Sequence, residues 1–116
     1  MSDDLVYARH IIDAIAQIES FVKKMTFKKF ARSRVAQSGT MYQIAVIGEA
    51  ARHLSIEFQA AHSQIPWAQI VGMRNKLIHD YMGVDLGEVW RVTQDDLPEP
   101  KRQIKQILQS ARSKSE

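Results

Sequence analysis

The sequence predicts an all-α protein of four to five helices. Apolar residues recur at helical spacing along most of the chain, only five Gly and three Pro interrupt it, and no segment has the pattern of a strand. The 116 residues fall within the usual size of one domain and suffice for a core of their own. We therefore expect a single helical domain over residues 1–116.

Two long helices are predicted in the first half of the chain. Apolar side chains recur at helical spacing over residues 4–25 and again over residues 33–58. A short basic connection that contains Lys28 and Lys29 joins the two patterns. Gly48 weakens the second helix but stands among small and apolar residues, so it indicates a place where another helix approaches closely.

The second half of the chain predicts shorter helices that begin at identifiable residues. Pro66 suits the first turn of a third helix, and Gly83 is the expected end of it. Asp85 opens a fourth segment, and residues 95–98 are typical of the start of a last helix that ends near Arg112.

The composition limits where the protein can be located and which chemistry it can perform. The chain contains no cysteine, which excludes a disulfide framework and a thiolate metal site. The first residues, Met-Ser-Asp-Asp, lack the charge pattern of a signal peptide, and no apolar stretch has the length of a membrane span. We expect a soluble, cytoplasmic protein.

The formal charge of +3 is small but unevenly distributed. No acidic residue occurs between Glu19 and Glu49, where the chain carries a basic segment interleaved with Phe27 and Phe30: Lys23, Lys24, Lys28, Lys29, Arg32 and Arg34. Lys28, Lys29 and Arg32 are candidates for binding an RNA backbone. A solvated helix face or a surface for an acidic partner explains the same residues.

The segment RNKLIHDY, residues 74–81, concentrates polar groups near the predicted end of the third helix. Burying such groups is costly unless they have partners or a function, although a hydrogen-bonded His–Asp pair would be a purely structural explanation. On a continuous helix Arg74 and His79 diverge by about 140°. The long arginine side chain, a bent helix end or a symmetric dimer could bring the two groups together.

Three segments form a recognisable pattern: IPW at 65–67, GMRN at 72–75 and HDY at 79–81. They contain an Arg-x4-His-x-Tyr signature and, before it, a Pro-Trp pair at the start of a helix. In these segments the chain resembles the HepT-type members of the HEPN superfamily. The segment IGEAA at 47–51 is similar to the second helix of the family. The resemblance extends over nearly the whole chain, and nothing within the motif departs from it.

This resemblance implies an up-and-down, HEPN-like helical bundle that acts as a homodimer, with ribonuclease activity that needs no metal or other cofactor. It also implies a toxin–antitoxin pair in which the partner is a minimal nucleotidyltransferase. Tyr81 matches the signature tyrosine. The resemblance implies that the partner attaches adenylyl groups there and so silences the toxin.

The residue types in the motif suit RNA cleavage. RNA carries its own nucleophile, the 2′-hydroxyl, so an enzyme needs a proton-transfer group and a cation near the phosphate. His79 can transfer protons near neutral pH, and Arg74 can bind phosphate oxygens with paired donors. Asn75 or Asp80 could orient the imidazole, and the expected product is a 2′,3′-cyclic phosphate.

Two other functions fit the same sequence. The chain could be a non-catalytic HEPN-like module that binds RNA, nucleotides or a protein. It could instead serve chiefly as substrate or adaptor for its nucleotidyltransferase, in which case Tyr81 matters and His79 does not.

Outside the motif, two pairs have the helical spacing of metal ligands: Glu49 with His53, and His10 with Asp13. Two ligands do not make a metal site, and ion pairs or hydrogen bonds explain both pairs. Trp67 and Trp90 are expected to anchor the core or an interface.

Overall fold

A computed structural model describes residues 2–80 and 83–115 of the chain and confirms the all-α class. The helices are α1 (Ser2–Val22), α2 (Phe27–Arg32), α3 (Arg34–Arg52), α4 (Ile56–Ala61), α5 (Trp67–Leu77), α6 (Leu86–Arg91) and α7 (Pro98–Ser115). A π-helical turn at Val92–Asp96 joins α6 to α7. After α5 the chain forms a short antiparallel hairpin of β1 (Ile78–Asp80) and β2 (Gly83–Val84), with Ile78 opposite Val84.

The core lies between the long helices. Helix α1 packs along α3, α3 packs along α5, and α7 packs against α1. Fully buried isoleucines from three of these helices meet there: Ile11, Ile15, Ile18, Ile44, Ile47 and Ile104. Trp67 is buried and donates its indole hydrogen to the His62 carbonyl at 3.0 Å, while Trp90 packs on Phe30 at the edge of the core. Both tryptophans are therefore core anchors, as predicted.

Gly48 marks a close approach of two helices, as the sequence predicted. A Cβ atom at this position would lie 3.2 Å from the Val71 carbonyl oxygen and 3.5 Å from the Ile70 carbonyl oxygen. A methyl group would be tight between the two backbones at this contact, and the neighbouring backbone would have to give by a few tenths of an ångström. Helix α5 is thereby held against α3 less than one turn before Arg74.

The predicted basic connection is in part a helix, so that prediction was wrong. Thr26 caps α2 by accepting a hydrogen bond from the Lys29 amide at 3.2 Å. Ser33 then ends α2 and caps α3, because its hydroxyl accepts from the Ala36 amide at 3.1 Å. These two caps stabilise a helix too short to show a periodic pattern.

The second long helix ends at Arg52 and does not continue to residue 58. Ser55 starts the separate helix α4, and the Asp4 carboxylate accepts from the Ser55 amide at 2.8 Å and its hydroxyl at 2.7 Å. Partial burial raises the pKa of Asp4, but the Ser55 hydrogen bonds outweigh it and leave the pKa below its ordinary value. The ionised carboxylate stabilises the break between α3 and α4.

The third predicted helix also ends early, at Leu77, and Gly83 belongs to β2 instead of terminating it. The sequence predicted no strands, but β1 pairs with β2, and the Asp85 amide donates a hydrogen bond to the Leu77 carbonyl. These hydrogen bonds satisfy backbone groups that the helix would otherwise have paired. The predicted start at Asp85 is confirmed, because its carboxylate caps α6 through the Glu88 amide at 3.1 Å. Within the described ranges, no helix is long and apolar enough to cross a membrane.

Candidate active site

Arg74 lies in the last turn of α5 with its side chain exposed. Its guanidinium contacts the Asn75 side-chain oxygen at 3.4 Å, and Asn75 is exposed as well. Among the described side chains, no carboxylate lies within ion-pair distance of Arg74. No described carboxylate therefore neutralises this cation.

His79 and Asp80 follow on β1, so the chain leaves the helix between the two predicted catalytic residues. The estimate of about 140° between Arg74 and His79 assumed a continuous helix and does not apply past Leu77. The side chains of His79 and Asp80, and the whole of Tyr81, lie outside the described residues.

Arg74 lines a groove of about 530 Å³ that α1, α3 and α5 form together. We call it the Arg74 groove. Three small apolar residues of α3 line it, Ala45, Val46 and Ala50, together with a set of polar and aromatic residues: Tyr7, His10, Tyr42, Glu49, His53 and Arg74.

Three rings in the Arg74 groove contact one another. Tyr7 stacks on His53 with ring centres 5.2 Å apart, and His10 meets Tyr7 edge-on at 6.1 Å. His53 Nδ1 lies 2.8 Å from the Glu49 backbone carbonyl oxygen. Because a carbonyl only accepts, Nδ1 carries the proton in the neutral ring, and Nε2 is left as a hydrogen-bond acceptor.

Glu49 is an anion at the wall of this groove. Its carboxylate pairs with Arg52 at 2.6 Å, and this hydrogen bond holds the pKa of Glu49 below its ordinary value. The Glu49–His53 spacing is therefore explained by ion pairing and hydrogen bonding, which was one of the two sequence-based interpretations. In the part of the chain that the structure describes, no group of three or more His, Asp or Glu could hold a metal ion.

Comparison with known proteins places this chain in a family. Residues 11–107 match the profile of the family described as ribonuclease HepT-like. The chain belongs to the HepT-like ribonuclease family. This confirms the resemblance inferred from the motif and is consistent with the HEPN superfamily.

Several curated proteins are similar to this HepT-like chain. It is 37% identical over 103 residues to a putative RNase of Caldanaerobacter subterraneus, covering 89% of the chain and 92% of that protein. It is 33% identical over 101 residues to a probable ribonuclease HepT of Thermococcus cleftensis, covering 87% and 92%.

A longer relative is the gamma-glutamylcyclotransferase and putative RNase of Methanocaldococcus jannaschii, 37% identical over 107 residues. The match covers 92% of the HepT-like chain but 48% of that protein, about half of its length. No solved structure gave a significant match.

The basic segment of the HepT-like chain is exposed along α2. Lys28, Lys29 and Arg32 are exposed, and no described carboxylate forms an ion pair with them. Phe30 is fully buried against Trp90 and is not available to a ligand, whereas 43% of the Phe27 surface is exposed. The segment therefore offers charge and one aromatic ring.

The Arg74 groove was not predicted from the sequence. His10, Glu49 and His53 were predicted as members of metal-ligand, ion-pair or hydrogen-bonded pairs, and Tyr7 and Tyr42 were not among the candidate site residues. A signal for Tyr42 was present, because it lies on α3 between the apolar positions that face the core. Its grouping with Tyr7 depends on the packing of α1 along α3.

Proposed function

We propose that this HepT-like chain is the toxin of a toxin–antitoxin pair and an endoribonuclease that cleaves cellular RNA in the cytoplasm without a metal. The observation that supports this most directly is the end of α5 at Leu77. It lies between Arg74 and His79, where a straight helix would point the two groups apart. A bend there favours the convergence that catalysis requires.

In the proposed reaction, the imidazole of His79 takes the proton of the 2′-hydroxyl, and the 2′-oxygen attacks the adjacent phosphorus. Arg74 stabilises the charge that grows on the phosphate oxygens, and Asn75 or Asp80 orients the imidazole. The bond to the 5′-oxygen breaks, and that oxygen takes a proton from solvent water as it leaves. The products are a 2′,3′-cyclic phosphate and a 5′-hydroxyl.

The surroundings of the motif have proposed roles too. Lys28, Lys29 and Arg32 bind the RNA backbone, because they are exposed cations without described acidic partners. The chain acts as a homodimer, in which the symmetry places two Arg74–His79 pairs in one cleft. The antitoxin is a minimal nucleotidyltransferase.

Replacement of His79 tests the activity directly. We expect the purified His79→Ala variant to lose RNA cleavage while its circular dichroism and oligomeric state stay those of wild type. His62→Gln is the control and should leave cleavage intact, because the His62 ring packs on Phe58 of α4 and does not line the Arg74 groove. Full cleavage by His79→Ala would refute the assignment.

The same assay separates two rival interpretations. Cleavage by wild type should persist in a chelator, since His79 and Arg74 provide the chemistry, and strict dependence on added divalent metal would indicate another mechanism. Binding of RNA without any cleavage by wild type would identify a non-catalytic module.

We propose that Tyr81 is a switch and not a catalytic group. Its phenol has an ordinary pKa near 10, too high for proton transfer at neutral pH, but its hydroxyl can accept an adenylyl group. The hydroxyl oxygen would attack the α-phosphorus of ATP, releasing pyrophosphate and leaving a phosphodiester. That added negative charge would compete with substrate phosphate for Arg74.

Tyr81→Phe removes the acceptor oxygen and keeps the ring, so it should cleave RNA but escape neutralisation by the nucleotidyltransferase. Mass spectrometry of wild type coexpressed with that partner should find the mass of AMP on the peptide that contains Tyr81. Equal silencing of wild type and Tyr81→Phe would mean that inhibition arises from binding or from another residue.

A further inference from the structure

We propose that the Arg74 groove binds an unpaired nucleobase of the RNA, with Tyr42 as the ring on which the base stacks. The inference rests on the proposed ribonuclease function and extends it, because it assigns the groove a subsite for the base beside the phosphate that Arg74 would bind. The argument depends on the shape, the aromatic content and the charge of the groove.

The dimensions of the groove suit a flat ligand. Its volume of about 530 Å³ lies within the range of roughly 300–1,000 Å³ that is usual for small-molecule sites. Ala45, Val46 and Ala50 provide a surface without bulky side chains. Tyr42 lies beside them with 67% of its surface exposed, so its ring is accessible to a ligand.

The polar groups of the groove fit a base better than a second phosphate. Arg74 provides positive charge at α5, whereas Glu49, the other charged residue that lines the groove, is ionised and paired with Arg52 and offers no cation for a second phosphate. His53 Nε2 and the Glu49 oxygens accept hydrogen bonds, and amino and ring N–H groups of bases donate them. Aromatic rings combined with one arginine are the usual composition of single-strand binding sites.

This subsite would make the protein prefer single-stranded RNA. A base in a duplex is paired and stacked on its neighbours, and the grooves of the RNA helix do not expose its face to a protein ring. The basic segment, by contrast, would bind phosphates of single and double strands alike. Base and backbone binding can therefore be measured separately.

The experiment compares two probes that carry the same phosphates. One is a short single-stranded 2′-O-methyl RNA, which lacks the attacking hydroxyl and resists cleavage, and the other is the same backbone without bases. We expect Tyr42→Ala to weaken binding of the first probe by about 5- to 150-fold, the usual effect of removing one stacking ring. Binding of the base-free probe should not change.

Two control variants make the result specific. Tyr42→Phe keeps the ring and should bind both probes as wild type does. Val35→Ala removes an exposed apolar side chain of the same helix, 80% exposed and outside the groove, and should also have no effect.

Three outcomes would overturn the proposal. Unchanged binding by Tyr42→Ala would exclude stacking on this ring, and equal loss for both probes would show that the base is not what Tyr42 recognises. A changed oligomeric state of Tyr42→Ala in sedimentation would mean that a second copy of the chain covers the groove. In each case cleavage by wild type would leave the ribonuclease function intact, whereas absence of RNA binding and cleavage in wild type would refute both.

Discussion

The two sides of α5 border cavities whose arginines differ in their acidic partners. On one side, Arg74 lines the Arg74 groove and contacts only the neutral Asn75 among described side chains. On the other, Arg91 lines a cleft of about 620 Å³ and pairs with both Glu88 and Asp96, each at 2.9 Å. These hydrogen bonds raise the pKa of Arg91. The two arginines thus differ in whether a described carboxylate pairs with them.

The basic segment and the C-terminal helix show the same difference on a larger scale. Lys28, Lys29 and Arg32 lack described acidic partners, whereas Lys101 pairs with Glu19 at 2.8 Å and Arg102 pairs with Glu99. Each of these cations contributes equally to the net charge, so the net charge does not distinguish the unpaired from the paired ones. The pairing indicates instead that phosphate binding should concentrate on the side of α2 and Arg74.

The largest expected effect is a difference in RNA cleavage between variants of Arg74 on α5 and Arg91 on α6. Arg74→Ala should lower the rate of RNA cleavage by at least about 100-fold, because it removes a donor to the developing phosphate charge. Arg91→Ala should cleave at nearly the wild-type rate, since its guanidinium already satisfies Glu88 and Asp96. Single-turnover cleavage of a labelled RNA measures both.

Circular dichroism and sedimentation serve as controls for the two arginine variants. Similar losses of cleavage in Arg74→Ala and Arg91→Ala, with both folded, would contradict the assignment of phosphate binding to one side of α5. They would point to the cleft as the place where RNA binds.

Most helices could be predicted from the sequence because their causes are local. The periodic apolar faces of α1 and α3 and the capping carboxylate of Asp85 depend on neighbours in the chain. The break before α4 could not be predicted in this way, since Ser55 is held by Asp4, 51 positions away. The end of α5 likewise depends on the pairing of β1 with β2.

The site divides along the same line. The motif from Arg74 to Tyr81 is contiguous and could be recognised from its spacing, although its catalytic role stays a prediction. The Arg74 groove could not be predicted, because Tyr7 and Tyr42 line the same groove only when α1 packs along α3. Gly48 did predict the contact between α3 and α5, because a glycine among small and apolar residues of a helix indicates a close backbone approach.

A smaller effect is expected from removing three charges at once. Lys28, Lys29 and Arg32 changed to Gln should lower the slope of log affinity against log salt by about 2, at about 0.7 for each contact with a single strand. The matched control changes Arg91, Lys101 and Arg102 to Gln, an equal loss of formal charge at paired cations. Its slope should change far less.

Fluorescence anisotropy over a range of salt concentrations gives both slopes. Equal changes in the two triple variants would mean that total charge, and not the position of unpaired cations, controls RNA binding. An unchanged slope in the Lys28, Lys29 and Arg32 variant would leave the basic segment as a solvated surface.

The smallest expected effect is on the free energy of unfolding, when a glycine on either side of the α3–α5 contact is changed to alanine. A Cβ at Gly48 would lie 3.2 Å from the Val71 carbonyl oxygen, whereas a Cβ at Gly72 meets nothing within 4 Å. Gly72→Ala should therefore raise the free energy of unfolding by about 0.5–1 kcal/mol, the cost of glycine inside a helix. At Gly48 the same gain is opposed by overpacking of about 1–3 kcal/mol.

We expect Gly48→Ala to be less stable than wild type, because the atom in its way belongs to a backbone that is held within α5 and cannot rotate aside. Urea unfolding followed by circular dichroism gives both free energies, with a common slope confirming that the same surface is exposed. Stabilisation of both variants would show that α3 and α5 can separate at little cost. The position of Arg74 beside the groove would then not depend on this contact.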